Sequence, residues 1–242
     1  MKICVVQTRP IKGDIEGNIE NHKKLIDLAA ANGADIVIFP ELSLTGYEPA
    51  LAKALATHQG DGRFDDFQEI ADASQITIGV GVPTKSGASP YISMVIFQPH
   101  QGRQTYSKQY LHADEEPFFM SGPSSPGLIE GRPNVGLAIC YELSIPEHPE
   151  RAFAQGANVY LASVAKSASG VDQAAKRLSA IAQTYVVPVF MSNCVGPSDD
   201  FESAGKTSVW NDKGALVRQL DDRNEGFIIF DTETRELIEK VI

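Results

Sequence analysis

Cysteine is scarce in this chain and basic clusters are missing, and both absences narrow what it can be. The 242 residues contain three cysteines, Cys4, Cys140 and Cys194. An odd, widely spaced set is a poor disulfide framework and points to a reducing compartment. Five histidines without ligand spacing, and no CxxC pair, leave metal catalysis without support. No glycine-rich phosphate loop opens a helix, so nucleotide binding lacks support too. Lysine and arginine total 21 against 31 acidic residues, a net charge of −10, and no basic cluster exceeds a pair. Such a chain repels nucleic acid and anionic lipid, so neither is an expected partner. The acidity itself reads as solubility and identifies no substrate. No apolar run approaches a membrane span, and no leader-like segment precedes the strand-like Ile3-Cys4-Val5-Val6. The expected location is the cytoplasm.

What is present is an ordinary globular composition, 43% hydrophobic and 21% charged, in a chain long enough to bury a large core without staples. Short apolar runs alternate with helical stretches. The pattern predicts strands over residues 2–8, 36–39, 77–82, 135–139, 159–162, 189–193 and 227–230, and helices over 18–32, 64–74, 147–155 and 172–185. Hairpins are predicted at 91–97 with 103–106 and at 207–210 with 215–220. Residues 232–242 read as a polar helical tail, and His22 reads as a surface residue of the first helix. Strands apolar on both faces argue an α/β protein whose sheet is covered by helices, and the hairpins make that sheet mixed. One domain over 1–242 accommodates the whole pattern. Pro- and Gly-bearing loops at 46–49, 83–90, 121–133 and 196–205 are where ligand contacts are expected.

Three residues could carry chemistry. Cys140 ends the strand Val135-Gly136-Leu137-Ala138-Ile139 just before the chain turns toward a helix, where α/β proteins place ligands and where backbone N–H groups can face an oxyanion. A buried inert cysteine is the commoner fate of such a residue. Glu41 follows Ile36-Val37-Ile38-Phe39-Pro40, where partial desolvation would raise its pKa and make it a usable base; a solvated or capping acid is the alternative. Lys108 ends the strand after the first hairpin, where lysines are usually solvated edge residues. A fixed cation there would instead lower the thiol's pKa and hold an oxyanion. Each alone favours the structural role. Together, at strand ends expected to share one sheet, a thiol, a carboxylate and an ammonium make a covalent-catalysis set. A Cys–His pair competes, with His112 and His148 the nearby histidines, and neither follows a clear strand.

These residues stand in segments that resemble a known family. Phe39-Pro40-Glu41-Leu42-Ser43-Leu44-Thr45-Gly46-Tyr47, Tyr106-Ser107-Lys108-Gln109-Tyr110-Leu111 and Gly136-Leu137-Ala138-Ile139-Cys140-Tyr141-Glu142-Leu143 are similar, in that order, to the three signatures of the nitrilase, or carbon–nitrogen hydrolase, superfamily. Weaker likeness extends from Gln7-Thr8 to Gly214. The resemblance implies a four-layer α-β-β-α sandwich with mixed sheets, often paired as a homodimer or higher homo-oligomer through a helical face. It implies Cys140 as nucleophile, Glu41 as general base, and Lys108 with the N–H of Tyr141 as oxyanion holders, with no metal or organic cofactor. A second glutamate is implied after the lysine signature. Glu115, four residues before Phe119, is favoured and Glu116 stays open as the alternative; Tyr47, Glu116 and Tyr141 are expected substrate contacts. The family's cysteine signature often continues with Asp and then Arg, where this chain has Glu142 and Ser144. Tyr141, where true nitrilases often carry Trp, looks more like the amidase branches.

The first expectation is therefore hydrolysis of a small linear amide through a thioester. Nitrile or N-carbamoyl amine hydrolysis at the same site, or acyl transfer to an acceptor other than water, are alternatives. A non-enzymatic binding protein is disfavoured by the intact set of three. A glutaminase serving a synthetase is disfavoured by the lack of a second domain in this sequence.

Overall fold

The computed structural model describes residues 1–125, 127–129, 131 and 134–242; residues 126, 130, 132 and 133 of the expected 121–133 loop lie outside the described residues. In chain order the strands are β1 (Lys2–Gln7), β2 (Ile36–Ile38), β3 (Thr77–Thr84), β4 (Tyr91–Phe97), β5 (Gln104–Ser107), β6 (Leu128–Ile129), β7 (Val135–Ile139), β8 (Val159–Val164), β9 (Val189–Asn193), β10 (Val195–Ser198), β11 (Phe201–Ala204), β12 (Ser208–Trp210), β13 (Leu216–Gln219), β14 (Gly226–Asp231) and β15 (Leu237–Val241). The α-helices are α1 (Ile15–Ala31), α2 (Ala52–Leu55), α3 (Asp65–Ser74), α4 (Glu147–Ala154) and α5 (Ala168–Tyr185).

Two large sheets form, not one. A seven-stranded sheet runs β15-β14-β1-β2-β3-β4-β5 and a six-stranded sheet runs β13-β12-β9-β8-β7-β6. β1, β2 and β3 are mutually parallel, and β4 is antiparallel to both β3 and β5, so β5 points the same way as β2. β7, β8 and β9 are parallel. Strand alternation sets the layers. Ile3 and Val5 of β1, with Ile36 and Ile38 of β2, join Leu137 and Ile139 of β7 in one core. Cys4, Val6 and Val37 turn the other way, onto Ile19 and Ile26 of α1 and Phe67 of α3. Val171, Ala174 and Leu178 of α5 and Ala152 of α4 complete the first core. The result is the four-layer α-β-β-α sandwich. A strand apolar on both faces fits between two helix layers or between a helix layer and a second sheet, so apolarity alone does not distinguish one sheet from two.

Hydroxyls cross between the sheets. Ser163 Oγ of β8 donates to the Phe39 carbonyl at 2.9 Å, and Ser192 Oγ of β9 reaches the Val6 and Ile38 carbonyls at 2.6 and 3.1 Å. They fix β8 and β9 against the end of β2, which carries Glu41.

Four further expectations are corrected. The tail is not helical. After a turn held by Asp231, which accepts the N–H of Glu233 at 2.9 Å, Leu237–Val241 pairs antiparallel with β14 as an edge strand. The charges of Glu239 and Lys240 suit an edge and mimic a polar helix in sequence. The 196–205 loop is mostly the hairpin of β10 and β11. His22 is buried, 1% exposed, and stacks on Phe39 at 3.9 Å. α1 also starts earlier than expected, at Ile15, because Asp14 accepts the N–H of Gly17 at 3.0 Å and caps it.

Candidate active site

Glu41 sits in a tight turn after β2. Leu42 has φ 51°, and the turn lies so close on β3 that a Cβ on Gly81 would come within 2.4 Å of both Leu42 N and Pro40 O. Only glycine permits that approach. The carboxylate is buried: Oε1 accepts from Lys108 Nζ at 2.9 Å, and Oε2 from the Ala165 N–H at 3.2 Å. Lys108 follows β5, held by its N–H to the Ile92 carbonyl and its carbonyl to the Gly122 N–H. Its ammonium is fully buried and also bonds Glu115 Oε1 at 2.6 Å. Glu115 in turn accepts from the Tyr47 hydroxyl at 3.0 Å and from the His112 N–H at 2.8 Å.

Cys140 follows β7 and opens a 3-10 turn over Cys140–Ser144. Its φ of +45° is a left-handed conformation that costs an ordinary residue roughly 1–2 kcal/mol. It lines a cavity of about 320 Å³ together with Tyr47, Glu115, Tyr141, Lys166 and Phe201. Its Sγ lies 4.0 Å from the Ala165 carbonyl. Cys4 and Cys194 are buried and do not line this cavity.

Lys108 lowers the Cys140 thiol, as a nearby cation does, but it does not set the net shift. Burial, seconded by the Glu41 charge, pushes the Cys140 thiol up to about 11, against the pull of Lys166 and Lys108. Burial likewise raises Glu41, and the Lys108 ammonium only partly offsets it. Burial alone would lower Lys108, but Glu41 and Glu115 outweigh it and hold the ammonium above its usual range. A protonated thiol and a carboxylate of raised proton affinity are the two groups that base-assisted thiol attack requires.

The seven-stranded sheet supplies Glu41 and Lys108, and the six-stranded sheet supplies Cys140, so the site spans two sheets rather than one sheet edge. Glu115, Tyr47 and Tyr141 join it. Glu116 does not: its side chain is exposed and absent from the cavity lining. The turn that bonds Glu115 N–H to the His112 carbonyl and Phe119 N–H to the Glu115 carbonyl turns Glu115 and Phe119 inward and their neighbour outward. Of the four expected loops, 46–49 gives Tyr47 and Pro49 and 196–205 gives Asp199, Asp200 and Phe201; among the described residues, 83–90 and 121–133 give none. Sequence reasoning passed over Lys166, Asp114 and Phe118 on the cavity wall and weighed His112, also there, only as a partner in a Cys–His pair. Lys166 could have been found, since it follows the buried strand β8 beside β7 as Cys140 follows β7. Among the described residues no cluster of potential metal ligands occurs, and no helix is long and apolar enough to cross a membrane.

A family model described as carbon-nitrogen hydrolase matches residues 2–239. The chain belongs to the carbon–nitrogen hydrolase family. Among its relatives, the 2-oxoglutaramate amidase of Bacillus subtilis is 28% identical over 85% of this chain and 81% of that protein. The nitrilase of Pyrococcus abyssi is 26% identical over 93% of this chain and 87% of that protein. The glutamine-dependent NAD(+) synthetase of Thermotoga maritima is 25% identical over 98% of this chain, which spans only 42% of the synthetase's length. A Nesterenkonia amidase of the nitrilase superfamily superposes with a TM-score of 0.88 at 22% identity, covering 97% of this chain and 92% of that one, and so shares the fold. This hydrolase therefore carries its buried Glu–Lys–Glu set and cavity cysteine on the frame of an enzyme family that breaks carbon–nitrogen bonds.

Proposed function

We propose that this hydrolase cleaves the C–N bond of a small linear amide through a thioester on Cys140. The observation that carries the reading is a thiol on the wall of a 320 Å³ cavity that Glu115 also lines, with Glu115 joined through the buried Lys108 ammonium to the buried Glu41 in one hydrogen-bonded set. A thiol near 11 is almost wholly protonated at neutral pH and needs a base at the moment of attack. Glu41 takes that proton as Sγ adds to the carbonyl carbon. The oxygen's negative charge is held by Lys108 Nζ and the Tyr141 N–H. Glu41 returns the proton to nitrogen, the C–N bond breaks, and ammonia or an amine leaves. It then takes a proton from water, whose oxygen adds to the thioester, and Sγ departs with that proton as the acid is released. Glu115 keeps Lys108 in place through its 2.6 Å contact, and Tyr47 and Tyr141 border the substrate.

Amides suit this set better than nitriles, because an amide needs its departing nitrogen protonated and a nitrile has no leaving amine at the first step. A relative named 2-oxoglutaramate amidase agrees with that reading, and one named nitrilase favours the alternative. Glutamine belongs among the substrates tried because another relative is named for its dependence on it. The test is ammonia release across small amides, carbamoyl amines and nitriles, with matched amide–nitrile pairs and Cys140→Ala as the blank. The expected result is a higher kcat/KM for the amide of each pair and no turnover by the variant. Faster nitriles in most pairs would replace the amidase reading with a nitrilase one. Activity of Cys140→Ala above about a hundredth of wild type would remove the nucleophile.

A further inference from the structure

Behind the nucleophile lies a second buried carboxylate that the reaction above does not use. Glu142 is 0% exposed and two residues beyond Cys140. Its Oε2 accepts the N–H of Ile139 at 2.8 Å, and its Oε1 accepts the N–H of Gln109 at 2.7 Å. Ile139 is the residue before Cys140 and Gln109 is the residue after Lys108. One carboxylate thus bonds the backbone next to the nucleophile, on the six-stranded sheet, to the backbone next to the oxyanion-side cation, on the seven-stranded sheet.

The carboxylate is itself held in place. Tyr106 donates its hydroxyl to Oε2 at 2.8 Å, His148 Nε2 lies 2.9 Å from that hydroxyl, and His148 Nδ1 lies 2.8 Å from the Tyr160 hydroxyl. One neutral tautomer satisfies the chain, with Nε2–H donating to Tyr106 and Nδ1 accepting from Tyr160. Burial keeps His148 neutral by lowering it to about 4. We propose that Glu142 is a positioning residue that sets the distance between Cys140 and Lys108. The proposal rests on the roles given above to those two residues. It also gives a use to the glutamate that stands where the family signature more often carries aspartate, since both contacts, at 2.7 and 2.8 Å, are made at the full reach of the longer side chain.

Glutamine at this position puts an NH2 against one of the two backbone N–H groups and breaks one arm of the clamp. Tyr160→Phe removes the far end of the network and leaves both arms intact, so it reports loss of stability alone. The experiment measures kcat and KM on whichever substrate the wild type turns over, the iodoacetamide alkylation rate of Cys140, and Tm. The expected result for Glu142→Gln is a kcat lowered about ten- to a hundredfold, as for a misplacement near 1 Å. KM should move less than about threefold, and Cys140 alkylation should slow in the folded protein. Tyr160→Phe should lower Tm and keep kcat within about threefold. If Glu142→Gln does not fold, Glu142→Asp, with its charge kept and its reach shortened, should fold and still lose kcat. Wild-type kcat in Glu142→Gln or Glu142→Asp, or a kcat that follows Tm alike in Glu142→Gln and Tyr160→Phe, overturns the proposal. A wild type that turns over no amide ends the functional reading, while the alkylation arm still decides the role of Glu142.

Discussion

His22 lies under the turn that carries Glu41. Its Nδ1 is 2.7 Å from the Asn18 carbonyl and its Nε2 is 2.9 Å from Ser43 Oγ, so Nδ1 donates and Nε2 accepts. Burial lowers it from about 6.5 to about 3. A base whose folded pKa is depressed stabilises the fold above its unfolded value, and that stability is lost as pH falls from 6.5 toward 3. Each pH unit inside that window costs about 1.4 kcal/mol. Going from pH 7 to pH 5, wild type should lose about 2 kcal/mol more unfolding free energy than His22→Phe, measured by urea titration at both pH values. His148, Glu142 and Glu41 titrate in both proteins and cancel in the comparison; equal pH slopes would show that His22 is not the group responsible. This residue was misread because a polar side chain in a helix counts against burial, whereas Asn18 and His22, one turn apart, face inward with polar partners on Ile11, Leu44 and Ser43 and, for His22, on the Asn18 carbonyl of its own helix. That Glu41, Lys108 and Cys140 stand at strand ends was legible, because Glu41 and Cys140 follow apolar runs and Lys108 follows a hairpin strand. The choice between Glu115 and Glu116 was not, since a turn decides which of two neighbours faces in.

At the scale of elements, the turn from Phe39 to Leu44 is the most constrained piece of the site. Gly81 gives it room on β3, the Gly81 carbonyl accepts the Leu44 N–H at 2.9 Å, and the Ser163 hydroxyl holds the Phe39 carbonyl at 2.9 Å. A methyl at Gly81 meets backbone at 2.4 Å, which no side-chain rearrangement relieves. Gly81→Ala should therefore push the turn off β3, costing about 1–3 kcal/mol of stability as overpacked sites do. It should also lower kcat by more than tenfold through displacement of Glu41. Urea unfolding and steady-state kinetics on one preparation check both, and a variant of normal kcat would mean that the turn absorbs the methyl elsewhere. Most strands and helices were legible from their apolar period. Among the missed strands, β15 lies at a sheet edge, where its charged residues erase the apolar signal, and the β10–β11 hairpin lies outside the two large sheets, with Gly196 and Pro197 in β10 that read as loop.

At the scale of the whole molecule, the pairing of two sheets was beyond local pattern, because each strand's faces look alike whether they meet a helix or another sheet. The same architecture bears on assembly. Helices cover both outer faces, and the end of α5 leaves Val186 69% exposed in a left-handed conformation, while Leu216 on the edge strand β13 is 51% exposed. Exposed apolar side chains on an outer helix end and a neighbouring edge are where a second copy would lower the free energy by removing them from water. The family likeness implies pairing through a helical face, so light scattering at micromolar concentration is expected to give at least a dimer. Val186→Asp should then shift the balance toward monomer, since a carboxylate in a closing apolar contact loses its hydration without a partner. Monomer alone in the wild type would place these side chains among ordinary surface residues and leave the four-layer unit acting by itself.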